Sequence, residues 1–148
     1  MTDQILSNST DGLIDSAFDL VSNEQRWKIV FHNISNFRNI EENWDGEGAD
    51  TPSEVLISSM VRYLSLLKYK FMPPPDRTTI STDGAIIIEW QYPYYILELE
   101  SGSPGRGEYM ITNSDGSTSF HDVSWENFLD DNHKPESHAT WDTLLLAA

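Results

Sequence analysis

Three consecutive prolines, Pro73, Pro74 and Pro75, separate two kinds of apolar periodicity in this chain. Before them apolar residues recur every three or four positions, and after them every second position. Proline disfavours helical geometry in the residue that precedes it, so no helix runs through this point. Helices therefore lie on the N-terminal side and strands on the C-terminal side, and the two kinds of element bury their apolar faces against each other. The expected fold is α+β, a two-layer sandwich. N-terminal helices pack on an antiparallel meander sheet of about four or five strands, and a short C-terminal helix follows. The length, 148 residues, fits one domain over 1–148.

The elements read as follows. Residues 1–21 hold Asp3, Asp11, Asp15 and Asp19 without Lys or Arg. Leu13, Ile14, Ala17, Phe18 and Val21 recur at helical spacing there, so this stretch reads either as a short acidic helix or as a loose acidic leader. Ser22 and Gln25 form a capping-box pattern, and Trp27, Val30, Phe31, Ile34, Phe37 and Ile40 mark a helix over Asn23 to Glu41. Thr51 as cap, Pro52 at the first helical position and Glu54 open a second helix. Its stripe is Leu56, Ile57, Met60, Val61, Leu64 and Leu67, and it stops before Pro73. Strands follow at Thr78 to Thr82 and Ala85 to Gln91, joined by a tight Asp83-Gly84 turn. In Tyr94 to Glu100, Tyr95, Leu97 and Leu99 alternate with Ile96, Glu98 and Glu100, as a half-solvated strand requires. A loop at Gly102 to Gly107 precedes strands Glu108 to Thr112 and Ser117 to Val123, which Asp115-Gly116 connects. Ser124 caps a short helix bearing Trp125, Phe128 and Leu129; residues 130–148 are a polar tail with an apolar end from Trp141.

Composition excludes several classes. Hydrophobic residues make up 39% of the chain, enough for a core. With no cysteine, disulfides, thiol catalysis and cysteine-ligated metals are excluded. Nine Lys and Arg against 24 Asp and Glu leave a net charge of −15, which repels phosphate backbones and anionic membranes. Direct nucleic-acid and membrane partners are not expected. The acidic start is unlike a signal peptide, so the cytoplasm is the expected compartment.

The most distinctive segment is Trp44, Asp45, Gly46, Glu47, Gly48, Ala49, then Pro52. It resembles a set of small, largely uncharacterised bacterial and phage proteins that share Trp-Asp-Gly-x-Gly-Ala and a nearby proline before a helix. Those proteins also carry a proline-rich stretch and a strand ending near Glu-Trp, here Glu89 and Trp90. The resemblance covers Asn43 to Glu100, and it implies a shared fold with no transferable activity. Physically, Gly46 and Gly48 permit a sharp reversal between helices, Trp44 plugs the gap between that corner and the sheet, and Asp45 bonds local backbone amides. The segment does not match an EF-hand: counted from Asp45, Ala49, Asp50 and Leu56 stand where a ligand, glycine and Glu are needed.

No metal and no cofactor is expected. His32, His121, His133 and His138 show no zinc-like spacing. No nucleophile, base and orienting group can be named together, so the chain reads as non-enzymatic. A small hydrolase using Asp45, Glu89 or Glu98 is the least favoured alternative. Two features point to binding. Aromatic residues Tyr92 and Tyr94 flank Pro93 at a hairpin tip, although Tyr94 and Tyr95 also suit a strand start with one ring in and one out. Carboxylates accumulate from Glu108 onward, through Asp115, Asp122, Asp130 and Asp131, and Trp141 offers a C-terminal anchor. The expected partner is a basic protein whose positive surface these residues cover, as in an antitoxin, an immunity protein or a phage anti-defence protein. The alternative is an accessory subunit docking through apolar surface.

Overall fold

The computed structural model describes residues 22–125. The leader lies outside them, as do the candidate residues Asp130, Asp131 and Trp141 and the part of the expected C-terminal helix that follows Trp125; Ser124, its expected cap, ends the last strand instead. Helix α1 runs through 22–36 and tightens into a 3-10 turn at Phe37–Asn39. Trp27, Val30 and Ile34 are buried, with Phe31 and Phe37 packed beside them. The helix stops short of Glu41 because Ile40 is already extended, at φ −80° and ψ 129°. The following loop closes on itself, Asn43 N–H donating to Ala49 O at 2.8 Å.

Helix α2, Glu54–Tyr69, buries Leu56, Ile57, Met60, Leu64 and Leu67, as the stripe requires, and also Ser59 and Tyr63. Its cap is Ser53, not Thr51: Ser53 Oγ accepts from Leu56 N–H at 3.1 Å. Thr51 is held elsewhere. Its hydroxyl donates to Glu42, and the neighbouring Asp50 N–H bonds Thr82 O at 2.8 Å, fixing this stretch against the turn at Thr82 before the helix can begin. At the other end the helix finishes well before the prolines. Phe71 takes the left-handed conformation at φ +61°. Its N–H bonds Lys68 O, and Met72 N–H reaches Leu67 O, both at 3.0 Å. These are the two bonds of a Schellman cap, with buried Met72 and Leu67 as its apolar closure.

The sheet is a five-stranded antiparallel meander in the order β1 (Arg77–Ile80), β2 (Ile86–Gln91), β3 (Tyr95–Ser103), β4 (Arg106–Asn113), β5 (Thr118–Ser124). Both helices cover one face, where Ile86, Ile88, Trp90, Leu97, Leu99, Tyr109 and Val123 complete the core. Two connections differ from the sequence reading. The β1–β2 turn is a three-residue loop: Ser81 N–H meets Ala85 O at 2.9 Å, and Gly84 N–H bonds Ser81 O at 3.1 Å. Gly84, at φ +82°, supplies the left-handed residue that closes such a loop, so Thr82 and Ala85 leave the strands. The expected loop from Gly102 to Gly107 shrinks to Pro104-Gly105. The strands continue around it because the buried Ser101 hydroxyl, at an irregularity in the β3–β4 register, bonds Ser103 O and Arg106 O.

Trp44 does not plug the core. It is 41% exposed, and its indole N–H donates to Asp50 O at 2.9 Å. A loop closed by backbone and side-chain bonds of its own leaves no gap for the ring to fill. Asp45 Oδ1 accepts from Glu47 N–H at 2.9 Å and Ala49 N–H at 3.1 Å, while Gly46 and Gly48 both take positive φ. The loop is fastened to the sheet through Asp50, which bridges Asp83 in the β1–β2 turn.

A polar seam crosses the core. Ser59 Oγ accepts from Gly105 N–H at 2.7 Å and from Trp125 Nε1–H at 3.0 Å. Beside it Tyr63 stacks on Trp125 at 4.3 Å and shares a hydroxyl bond with Tyr109 at 2.5 Å.

Two expectations about stability follow. Ser59→Ala leaves two buried donors without an acceptor and costs about 2–4 kcal/mol, read as a lowered denaturant midpoint. Gly84→Ala combines positive φ with a methyl 2.9 Å from Thr51 O and costs about 2–3 kcal/mol. Gly46→Ala meets open space and costs about 1 kcal/mol.

Candidate partner-binding face

Side chains alternate across a sheet, so the strands that turn Ile86, Ile88, Leu97, Leu99 and Tyr109 inward turn another set outward. Register aligns that outer set into rows. One row reads Thr79, Ile87, Glu100, Glu108, Asp122 from β1 to β5. The next reads Arg77, Glu89, Glu98, Met110, Phe120. Three cross-strand pairs are therefore like-charged: Glu89 with Glu98, Glu100 with Glu108, and Glu108 with Asp122. Each such pair opposes folding by a few tenths of a kcal/mol, about 0.2–1. Stability alone does not select this arrangement.

Electrostatics register the crowding. Burial, and after it the charges of Glu89 and Glu100, push the Glu98 carboxyl above its ordinary range, while Arg77 pulls it down. A shallow hollow opens at the acidic end, bounded by Glu100, Glu108 and Asp122, with Arg106 on its rim. The opposite end of the face is apolar. Met110 lies half-buried beside Phe120, which is 57% exposed, and Ile96 follows along β3. Tyr94, 79% exposed, stands at the β2–β3 turn next to that end. Among the described residues nothing covers the face.

The site residues named from the sequence separate here. Glu108 and Asp122 are brought directly opposite one another. Tyr94 is open to solvent, whereas Tyr92 stacks on Tyr95 at 4.7 Å and packs against the core. Asp115 serves the β4–β5 turn: its Oδ1 accepts from Ser117 N–H at 2.9 Å and Ser117 Oγ–H at 2.6 Å, and these bonds lower its pKa. Of the hydrolase candidates, Glu89 and Glu98 are paired on the outer face, but Asp45 belongs to the loop fastened to the β1–β2 turn. Glu100, Ile96, Met110 and Phe120 were not singled out from the sequence. Their signal is strand parity, which becomes a surface only once the four hairpin registers are known.

Among the described residues no group of three His, Asp or Glu side chains converges as metal ligands do, and no helix is long and apolar enough to cross a membrane. No family model matches the chain, and no curated protein or solved structure does either.

Glu98→Gln tests the crowding. A carboxyl with a raised pKa in the folded state destabilises that state above its titration and has no effect once it is protonated in both states. The variant is therefore more stable than the parent at pH 7, and the difference closes as pH falls toward about 4. Thermal midpoints measured across that range check it.

Proposed function

We propose that this chain is a non-enzymatic binding protein whose outer sheet face docks on the positive surface of a basic protein. The observation that carries the reading is the set of three like-charged cross-strand pairs, Glu89–Glu98, Glu100–Glu108 and Glu108–Asp122. Carboxylates held together at a cost to folding are relieved when cations from a partner come between them, so the same repulsion favours the complex. Apolar contact at Ile96, Met110 and Phe120 supplies anchoring beside the charges, and Tyr94 extends it. A net charge of −15 steers such a partner in from a distance.

The class of partner that fits is a protein built to hold nucleic acid, since its phosphate-binding groove presents dense positive charge. Occluding that groove makes this chain an inhibitor, in the manner of an antitoxin, an immunity protein or a phage anti-defence protein. The exposed Phe120 and Tyr94 favour a second reading, an accessory subunit held mainly by apolar contact.

Salt and charge variants separate these. The tagged chain is expected to retain a basic protein near stoichiometry at low salt and release it at about 0.5 M, where screening lengths fall to a few ångströms. Glu108→Gln with Asp122→Asn abolishes that capture. Glu41→Gln with Glu47→Gln, the same change in net charge away from the face, preserves it. Equal capture by both double variants defeats the reading, and retention through high salt supports the accessory subunit instead.

A further inference from the structure

The sheet has a second exposed feature, the edge at which its outer face ends with Arg77. Strand β1 is an edge strand, pairing with β2 on one side. Its hydrogen-bonding phase is set by the turn, where Ser81 N–H bonds Ala85 O. In an antiparallel pair the bonded positions alternate, so Thr79 and Arg77 face β2 with their N–H and C=O groups. Thr78 and Ile80 turn theirs outward, and no described residue bonds them. An edge of this kind is a template for another strand.

The space beside that edge has a shape. Helix α1 stands over it and forms a groove of about 260 Å3 lined by Arg26, Ile29, Asn33, Asp76, Arg77 and Thr78, among others. That volume lies below the ~300–1,000 Å3 of small-molecule clefts, so the room suits one or two side chains of an extended segment. Ile29, on the wall, is 59% exposed. Charge at the groove runs against the rest of the molecule. Arg26 is bound to Asp76 at 2.9 Å, and Arg77, registered opposite Glu89 at the end of an outer row, brings a positive charge to the edge itself in a chain of net charge −15. The Ala49–Thr51 stretch, bonded to the β1–β2 turn, closes one end of the edge, and Pro75 closes the other.

We propose that this groove takes a short, extended, acidic peptide segment of a partner protein, which pairs with β1 as a sixth strand. Main-chain bonds to Thr78 and Ile80 provide the affinity, an apolar side chain packs against Ile29, and a carboxylate meets Arg77. The site asks for the opposite charge to that sought by the outer face, with Arg77 standing where the two meet.

The test uses the full chain and three fluorescein-labelled, end-blocked heptapeptides of alternating valine with glutamate, glutamine or lysine, read by anisotropy. The glutamate peptide is expected to bind most tightly and the lysine peptide least. Methylating alternate amides of the glutamate peptide weakens it about tenfold. Thr78→Pro removes an outward N–H without breaking a bond to β2 and produces a similar loss, whereas Thr78→Val retains binding. If Thr78→Pro does not fold, Asn33→Asp, which places a negative charge on the wall, carries the same expectation. In hydrogen exchange of the free chain, the Thr78 and Ile80 amides exchange faster than those of Arg77 and Thr79. Slow exchange at Thr78 and Ile80 means the chain already occupies its own edge, and overturns the proposal. Preference for the lysine peptide, indifference to amide methylation, or no binding up to about 1 mM also overturns it.

Discussion

One hydroxyl holds the two layers in register. Ser59 sits wholly buried on α2, and its oxygen receives the amide of Gly105 from the β3–β4 turn and the indole of Trp125 beyond β5. Buried donors must find acceptors, and no other residue type offers one so compactly in mid-helix. A larger side chain would push the helix off the sheet, and an apolar one would orphan both donors. Around this point Tyr63, Tyr109 and Trp125 fill the space with rings whose polar ends are also satisfied. The sheet faces of β2 to β4 then have a fixed orientation, with every outward residue directed away from the helices.

That orientation is what gives the outer face its character. Three ion pairs, Arg26–Asp76, Arg38–Glu54 and Lys68–Glu24, use three of the described cations to tie α1 and its 3-10 turn to α2 and to the residue before β1. Pairs this exposed contribute little to stability. Their larger effect is on distribution: they draw positive charge to the helical side and leave the carboxylates of β2, β3, β4 and β5 with few cations beside them.

Much of the architecture was legible in local chemistry. The prolines separated helices from strands, the α2 stripe identified its buried face, and the alternation through Leu97 and Leu99 was correct residue by residue. The misreadings have two causes, a contact made at a distance and bonds that close a loop on itself. Thr51 has the chemistry of a cap, but Asp50 beside it is bonded to the β1–β2 turn, and Ser53 takes the role. Trp44 has the size of a core residue, but its loop is closed by its own bonds. Phe71 ends α2 in a conformation that glycine usually supplies, for the sake of seating Met72. The candidate face was half legible: Glu108 and Asp122 stood out as acids, but their being opposite one another depends on strand register.

The meander carries a consequence for how the molecule assembles. Each strand pairs with its neighbour in sequence, so every ladder closes over a short loop at small entropic cost, and the sheet can grow hairpin by hairpin from β1. The joint between layers is different in kind. Trp125 meets Ser59 across 66 positions, and it follows the last strand. A chain still being synthesised can zip its sheet and meet α2 through Gly105 and Tyr109, but the joint at Ser59 is complete only when the residue after β5 arrives. The helix made before the sheet is thus fully fastened only after the sheet's last strand has passed.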